Sequence, residues 1–228
     1  MMSIPGSSHS TAIEDGGTPL DTTEFVVVDV ETTGVGATRG HRVTEVAAVL
    51  VRGRSVEPLF DSLVNPERVI PSFISQLTGI TNSMVRGAPL FREISGELAA
   101  HLAGRVFVAH SAAFDWNFLT AEFARVSPGG IESLVPLQLC TVRLARRFLR
   151  HLPRRNLDAV CAHYGIPNVS RHRAAGDAHA TARVLLGLIR DAERAGVYTL
   201  EALSKHGRRR PTRRRTALPS WSDGGEGA

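Results

Sequence analysis

Five residues set in apolar surroundings could do chemistry: Asp29 and Glu31 in Val-Val-Val-Asp-Val-Glu-Thr-Thr-Gly, Asp115 in Ala-His-Ser-Ala-Ala-Phe-Asp, and His172 with Asp177 in Arg-His-Arg-Ala-Ala-Gly-Asp-Ala. Carboxylates taken out of water need counter-charges, and several converging on one place repel each other unless divalent cations lie between them. Four such acids carry enough negative charge for two Mg2+ (or Mn2+) ions roughly 3.5–4 Å apart, with positions left for water and a substrate phosphate. Oxygen donors favour magnesium or manganese over zinc. His172 lies five residues before Asp177, and an imidazole with an unperturbed pKa of about 6.5 could take a proton from water in such a site. Taken singly, each acid would serve equally well as a strand-end or helix-start residue bonded to backbone amides, and His172 as a solvated loop histidine. Together they point to a metal-dependent enzyme.

These residues need elements to position them. Phe25 to Val30 is a short β-branched run suited to a strand covered on both faces, broken by Thr32-Thr33-Gly34. Residues two apart in a strand share a side, so Asp29 and Glu31 project together from its carboxyl end, where ligands of open α/β sheets bind. Glu45 to Val51 and Val56 to Val64 follow as strands joined by a tight turn at Arg52-Gly53-Arg54, giving a three-stranded antiparallel start. Phe91, Ile94, Leu98 and Leu102 recur at helical spacing up to Gly104, and Val106 to Ala109 makes a fourth strand. The next helix carries Asp115 facing inward at its first turn, beside Phe118, Leu119 and Glu122. Leu134 to Cys140 reads as a fifth strand, followed by helices around 141–150 and 156–163. A last helix has Ala178, Thr181, Ala182, Leu185, Leu186 and Ile189 on its apolar face and Asp177 in its first turn, where the helix dipole favours an anion.

The chain of 228 residues suits one domain with tails. We expect a disordered leader at 1–23, a folded domain at 24–203 and a basic disordered tail at 204–228. From Gly207 onward six arginines against Asp223 and Glu226 hold +4 of the total +5, so bulk attraction to phosphate would lie in the tail. The body offers only a local basic lining from Arg143, Arg146, Arg147, Arg150, Arg154 and Arg155. No run approaches the ~18 apolar residues of a membrane span and no secretory signal opens the chain, which leads us to expect a cytoplasmic protein without a membrane partner. Cys140 and Cys161 are the only cysteines and suit buried small hydrophobes; a zinc site on Cys161 and His163 lacks a second ligand pair.

Asp29-x-Glu31-Thr-Thr-Gly, His110-x-x-x-Phe114-Asp115 and His172-x-x-x-x-Asp177 resemble the three motifs of the DEDDh 3′-5′ exonuclease family, typified by the proofreading epsilon subunit of bacterial DNA polymerase III. The segments 71–84 and 140–146 are similar to that family too, so the likeness covers about residues 24 to 192. It implies an α/β, ribonuclease H-like fold with a mixed five-stranded sheet flanked by helices, and removal of nucleotides one at a time from a 3′ end. By motif, Asp29, Glu31, Asp115 and Asp177 would be metal ligands and His172 the general base. Thr32, Thr33 and Gly34 would approach the terminal nucleotide, Leu77, Thr78 and Thr81 would line the groove for the last bases, and Ser111 and Phe114 would lie on the substrate side. Thr78 and Thr81 read equally as cap or turn residues, and His110 as a structural or a substrate-side residue and not the base.

The implied partner is nucleic acid, with single-stranded or frayed DNA 3′ ends first and RNA ends as the alternative, and a DNA polymerase subunit is a further implied partner in proofreading or repair. From another class stands a non-catalytic nucleic-acid-binding module that keeps the fold; the intact acid set argues against it.

Overall fold

The computed structural model describes residues 16–126, 129–168 and 170–208. The first apolar run becomes β1 (Glu24–Thr32), followed by β2 (Val43–Arg52) and β3 (Ser55–Leu63). Two short helices, α1 (Ser72–Thr78) and α2 (Asn82–Val85), precede α3 (Phe91–Leu102), β4 (Val106–Ala109) and α4 (Ala113–Val126). Then come β5 (Leu137–Cys140), α5 (Thr141–Phe148), α6 (Leu157–Tyr164), the long α7 (Ala174–Arg194) and α8 (Leu200–Gly207).

The five strands form one sheet in the order β3-β2-β1-β4-β5. The first three pair antiparallel, as their hairpin sequence requires, while β4 and β5 run parallel to β1. Because β1 is central, its alternate residues feed two cores, which is why the run is apolar throughout. Phe25 and Val27 enter the core shared with α5, α6 and α7, whereas Val26, Val28 and Val30 enter the one under α3 and α4. Burying such side chains stabilises by roughly 1.5–3 kcal/mol each. Ala174, Ala178 and Ala182 give α7 a narrow inner face, which lets the helix lie close over β1 and β2.

The domain is wider than the sequence pattern led us to expect. Residues 16–23, assigned to the disordered leader, are packed: the Leu20 amide donates to the Tyr198 carbonyl at 3.1 Å, the Leu200 amide donates to the Thr18 carbonyl at 2.8 Å, and Leu20 is 3 % exposed. One leucine without periodicity carries no signal, yet it completes the core beside α7. At the other end α8 runs past residue 203 to Gly207, buried against Leu144 and Leu139, and Arg208 bridges to Leu139. The expected leader at 1–15 and the arginine-rich remainder of the tail at 209–228 lie outside the described residues. Among the described residues no helix is long and apolar enough to cross a membrane, and both cysteines are free and buried.

Candidate active site

The site forms where β1 outruns its neighbour. β4 has four residues against nine in β1, and its pairing ends at Val27, so the later amides of β1 on that side have no strand partner. Asp115, in the first turn of α4, fills the gap: its Oδ1 accepts the Val30 amide at 3.3 Å, between Asp29 and Glu31. The register of β1 against β2 slips directly after Glu31, an irregularity of the kind that re-aims side chains at functional ends of strands. On the α7 side Asp29 and Glu31 face Asp177, and the charges of Asp115, Glu31 and Asp177 all act on Asp29.

The electrostatics are those of an acid cluster short of positive charge. Desolvation, then the charges of Asp115, Glu31, Asp177 and Glu45, holds Asp29 well above the usual carboxylate range. Glu31 is raised to about 8 by burial and by Asp177, Glu45 and Asp115, with Arg173 pulling the other way. Burial raises Asp115 to about 7 against its backbone hydrogen bonds. Glu31, His172 and Asp177 each offer a ligand atom within 4.8 Å of the others.

His172 reaches this cluster through a tight turn. Its φ of 57° is left-handed, an uncommon state for a residue with a side chain. The Asp177 carboxylate holds the turn, accepting the His172 amide at 2.9 Å and the Asn168 side-chain amide at 2.8 Å. Gly176 is required here, because a Cβ would run into the Ser170 backbone.

The residues expected on the substrate side divide into two groups. Thr32 and Thr33 are buried and bonded internally: Thr32 donates to the Gly34 carbonyl at 2.8 Å, and Thr33 Oγ1 accepts the Arg42 amide at 3.1 Å and meets His41 Nδ1 at 3.2 Å. Gly34 is packed against the His41 ring with no room for a Cβ. These three shape a rigid loop, leaving backbone and not hydroxyls for a ligand. Thr78 takes the turn-forming role: its hydroxyl is buried, donating to the Ile74 carbonyl at 3.0 Å and accepting the Ile80 amide at 3.1 Å. Thr81 caps α2 by accepting the Met84 amide at 3.3 Å.

His110 takes the structural of its two expected roles. Its Nδ1 lies 2.8 Å from the Thr141 hydroxyl and its Nε2 lies 3.0 Å from the Arg155 carbonyl. Burial lowers its pKa to about 4, so the ring is neutral and ties β4 to α5 and the 150–156 loop. Leu77 and Phe114 remain outward, 55 % and 36 % exposed, and Ser111 is exposed in a left-handed turn with φ of 69°. Phe114 also packs on Phe118, ring centroids 4.9 Å apart.

A family model described as Exonuclease (RNase_T) matches residues 26–185, a span that contains every acid of the cluster and His172. The chain belongs to this exonuclease family. The DNA polymerase III subunit epsilon-like protein of Rhodobacter capsulatus is 38 % identical over 199 residues, covering 84 % of this chain and 28 % of that protein. The 3′-5′ exonuclease DinG of Bacillus subtilis is 32 % identical over 181 residues, covering 79 % of this chain and 19 % of its own. The chain therefore spans under a third of the length of either relative. The nuclease domain of 3′hExo, a DEDDh family member bound to rAMP, shares the fold with a TM-score of 0.62 at 18 % identity, over 75 % of this chain and 93 % of that one. The ribonuclease H-like architecture expected from the resemblance is the one observed.

The exonuclease site fits a hard divalent cation. Oxygen ligands in excess, crowded with little counter-charge and lifted in pKa, are the arrangement that a bound cation relieves. Three residues of the surroundings carried no role in the sequence reading: Glu45, Arg173 and Asn168. A signal for the first was present, an acid inside Val43-Thr-Glu-Val-Ala-Ala-Val on the strand beside Asp29.

Proposed function

We propose that this chain hydrolyses phosphodiester bonds at the 3′ end of single-stranded or frayed DNA, one nucleotide at a time. The observation that carries the reading is the convergence of Glu31, Asp177 and His172 at the end of β1, with Asp29 and Asp115 alongside. Asp29, Glu31, Asp115 and Asp177 would hold two Mg2+ (or Mn2+) ions, which when bound supply an acidified water and neutralise charge on the leaving oxygen. His172 acts as general base, its imidazole nitrogen taking the proton of the attacking water. The 32–34 loop presents backbone to the terminal nucleotide, while the exposed faces of Leu77 and Phe114 meet bases without reading sequence. Service to a polymerase in proofreading is supported by the epsilon-like relative.

An exoribonuclease is the second reading, supported by the rAMP held by the 3′hExo domain. A time course on 5′-labelled DNA and RNA oligonucleotides, single-stranded and mismatched, with Mg2+ and with chelator, separates the two. Asp29→Ala should abolish the metal-dependent ladder of products, and His172→Ala should slow it by about 10²–10⁴-fold. Wild-type turnover in either variant would refute the assignment.

A further inference from the structure

Glu45 lies beside the acid cluster but is bonded quite differently from its members. It is directly opposite Glu31 in the β1–β2 register, and it is 1 % exposed. Its Oε1 accepts Arg173 Nε at 3.0 Å and a terminal guanidinium nitrogen at 2.5 Å, and its Oε2 accepts Arg173 Nε at 3.1 Å and the Ala174 amide at 2.8 Å. Both oxygens are thus engaged by a guanidinium fork and by the first amide of α7, the arrangement of a structural anchor and not of an available cation ligand.

The anchored residues immediately follow the histidine. Over three consecutive positions, the His172 amide is tied to Asp177, the Arg173 side chain to Glu45 and the Ala174 amide to Glu45. His172 has a φ of 57°, and a strained state of this kind persists only where its surroundings over-determine it. Asp177 alone restrains one side of the turn. Without Glu45 the other side would be an exposed arginine and a free helix end, and the imidazole would have no fixed approach to Glu31 and Asp177.

We propose that Glu45 is a positioning residue for His172: through Arg173 and the start of α7 it holds the left-handed turn that presents the imidazole to the acid cluster. It touches neither substrate nor reacting atoms. The proposal rests on the reading of His172 as general base, and its test has one arm that does not.

In the activity arm, Glu45→Gln and Arg173→Lys are each measured in the wild-type and His172→Ala backgrounds. Arg173→Lys keeps the charge facing Glu45 while dropping the fork, so it remains informative should Glu45→Gln fold poorly. Each change is expected to lower kcat about 10–100-fold with KM for an oligonucleotide within about 2-fold, and to cost less than about 2-fold further once His172 is gone. Equal losses in both backgrounds would overturn the proposal, because Glu45 would then act on something other than the histidine. In the second arm, amide hydrogen exchange on the metal-free protein should show His172 exchanging at least about 10-fold faster in Glu45→Gln while core amides such as Val27 and Leu185 keep their rates. Unchanged protection at His172, or a loss of Mg2+ affinity with that protection intact, would refute positioning and make Glu45 a ligand or a general structural residue. A wild-type protein without hydrolysis would remove the general-base reading alone, since the exchange arm reads the anchor directly.

Discussion

Two kinds of buried acid meet in this molecule. Asp29, Glu31 and Asp115 are crowded together, held by few donors and pushed up in pKa by burial and by one another. Glu122, two turns along the same face of α4 from Asp115, is also buried but fully served: Arg42 donates to it at 2.7 and 2.9 Å and the Val43 amide at 3.2 Å. Glu45 belongs with Glu122, each binding one end of β2 to a helix. Burial therefore does not mark function by itself. An acid that the fold has paired with a guanidinium is holding elements in place, and acids that the fold leaves crowded among their like are the ones we propose for a cation.

That contrast can be broken by mutation and by pH. Truncating the paired acid should cost most: Glu122→Ala leaves the partly buried Arg42 without its main partner and should destabilise by about 3–5 kcal/mol in urea unfolding, with or without Mg2+. A loss below about 1 kcal/mol would place Glu122 with the surface pairs.

Next in size is the response to metal and pH. The folded-state pKa of Glu31 is raised from 4.5 to about 8 and that of Asp115 from 3.8 to about 7, so the native protein keeps protons that the unfolded chain has released. Metal-free stability should consequently fall as pH rises from the ordinary carboxylate range to about 8. Cation binding needs the ionised acids, so the rise in Tm on adding a fixed concentration of Mg2+ should be larger at pH 8 than at pH 6, the stabilisation being about 2.7 kcal/mol where Mg2+ is at a hundred times Kd. A Tm in chelator that climbs with pH across this range would contradict the raised carboxyls.

The smallest effect is the most diagnostic. Glu31→Gln removes one of the mutually repelling charges, and at pH 8 it should stabilise the metal-free protein by about 1 kcal/mol while weakening Mg2+ binding in calorimetry. Destabilisation by the same change would move Glu31 into the paired class.

Much of the frame was readable in advance, and the exceptions have physical causes. The five strands follow from short apolar runs and α3, α4 and α7 from helical periodicities, and the positions of Asp29, Glu31, Asp115 and Asp177 on strand ends and first helical turns follow with them. The helices α1 and α2, with seven and four residues, are too short to show a period. The resemblance implied substrate-side roles for Thr78 and His110, and a structural role stood beside each. The same hydroxyl and imidazole serve as well for an internal turn and a cross-link between elements, and the fold uses them so.

The order of residues along the chain was enough to specify an α/β domain, because periodicity is a local property, and the three ordered motifs it carries were enough to pick out the exonuclease family. Which acids would be paired was decided only in three dimensions. Glu45 meets Arg173 across a sequence separation of 128 residues and Glu122 meets Arg42 across 80, and such partners exist only once β2 is laid against α7 and α4. The left-handed turn at His172 is of the same kind: no local preference favours it, and it is held by bonds that the packed helix end and strand supply.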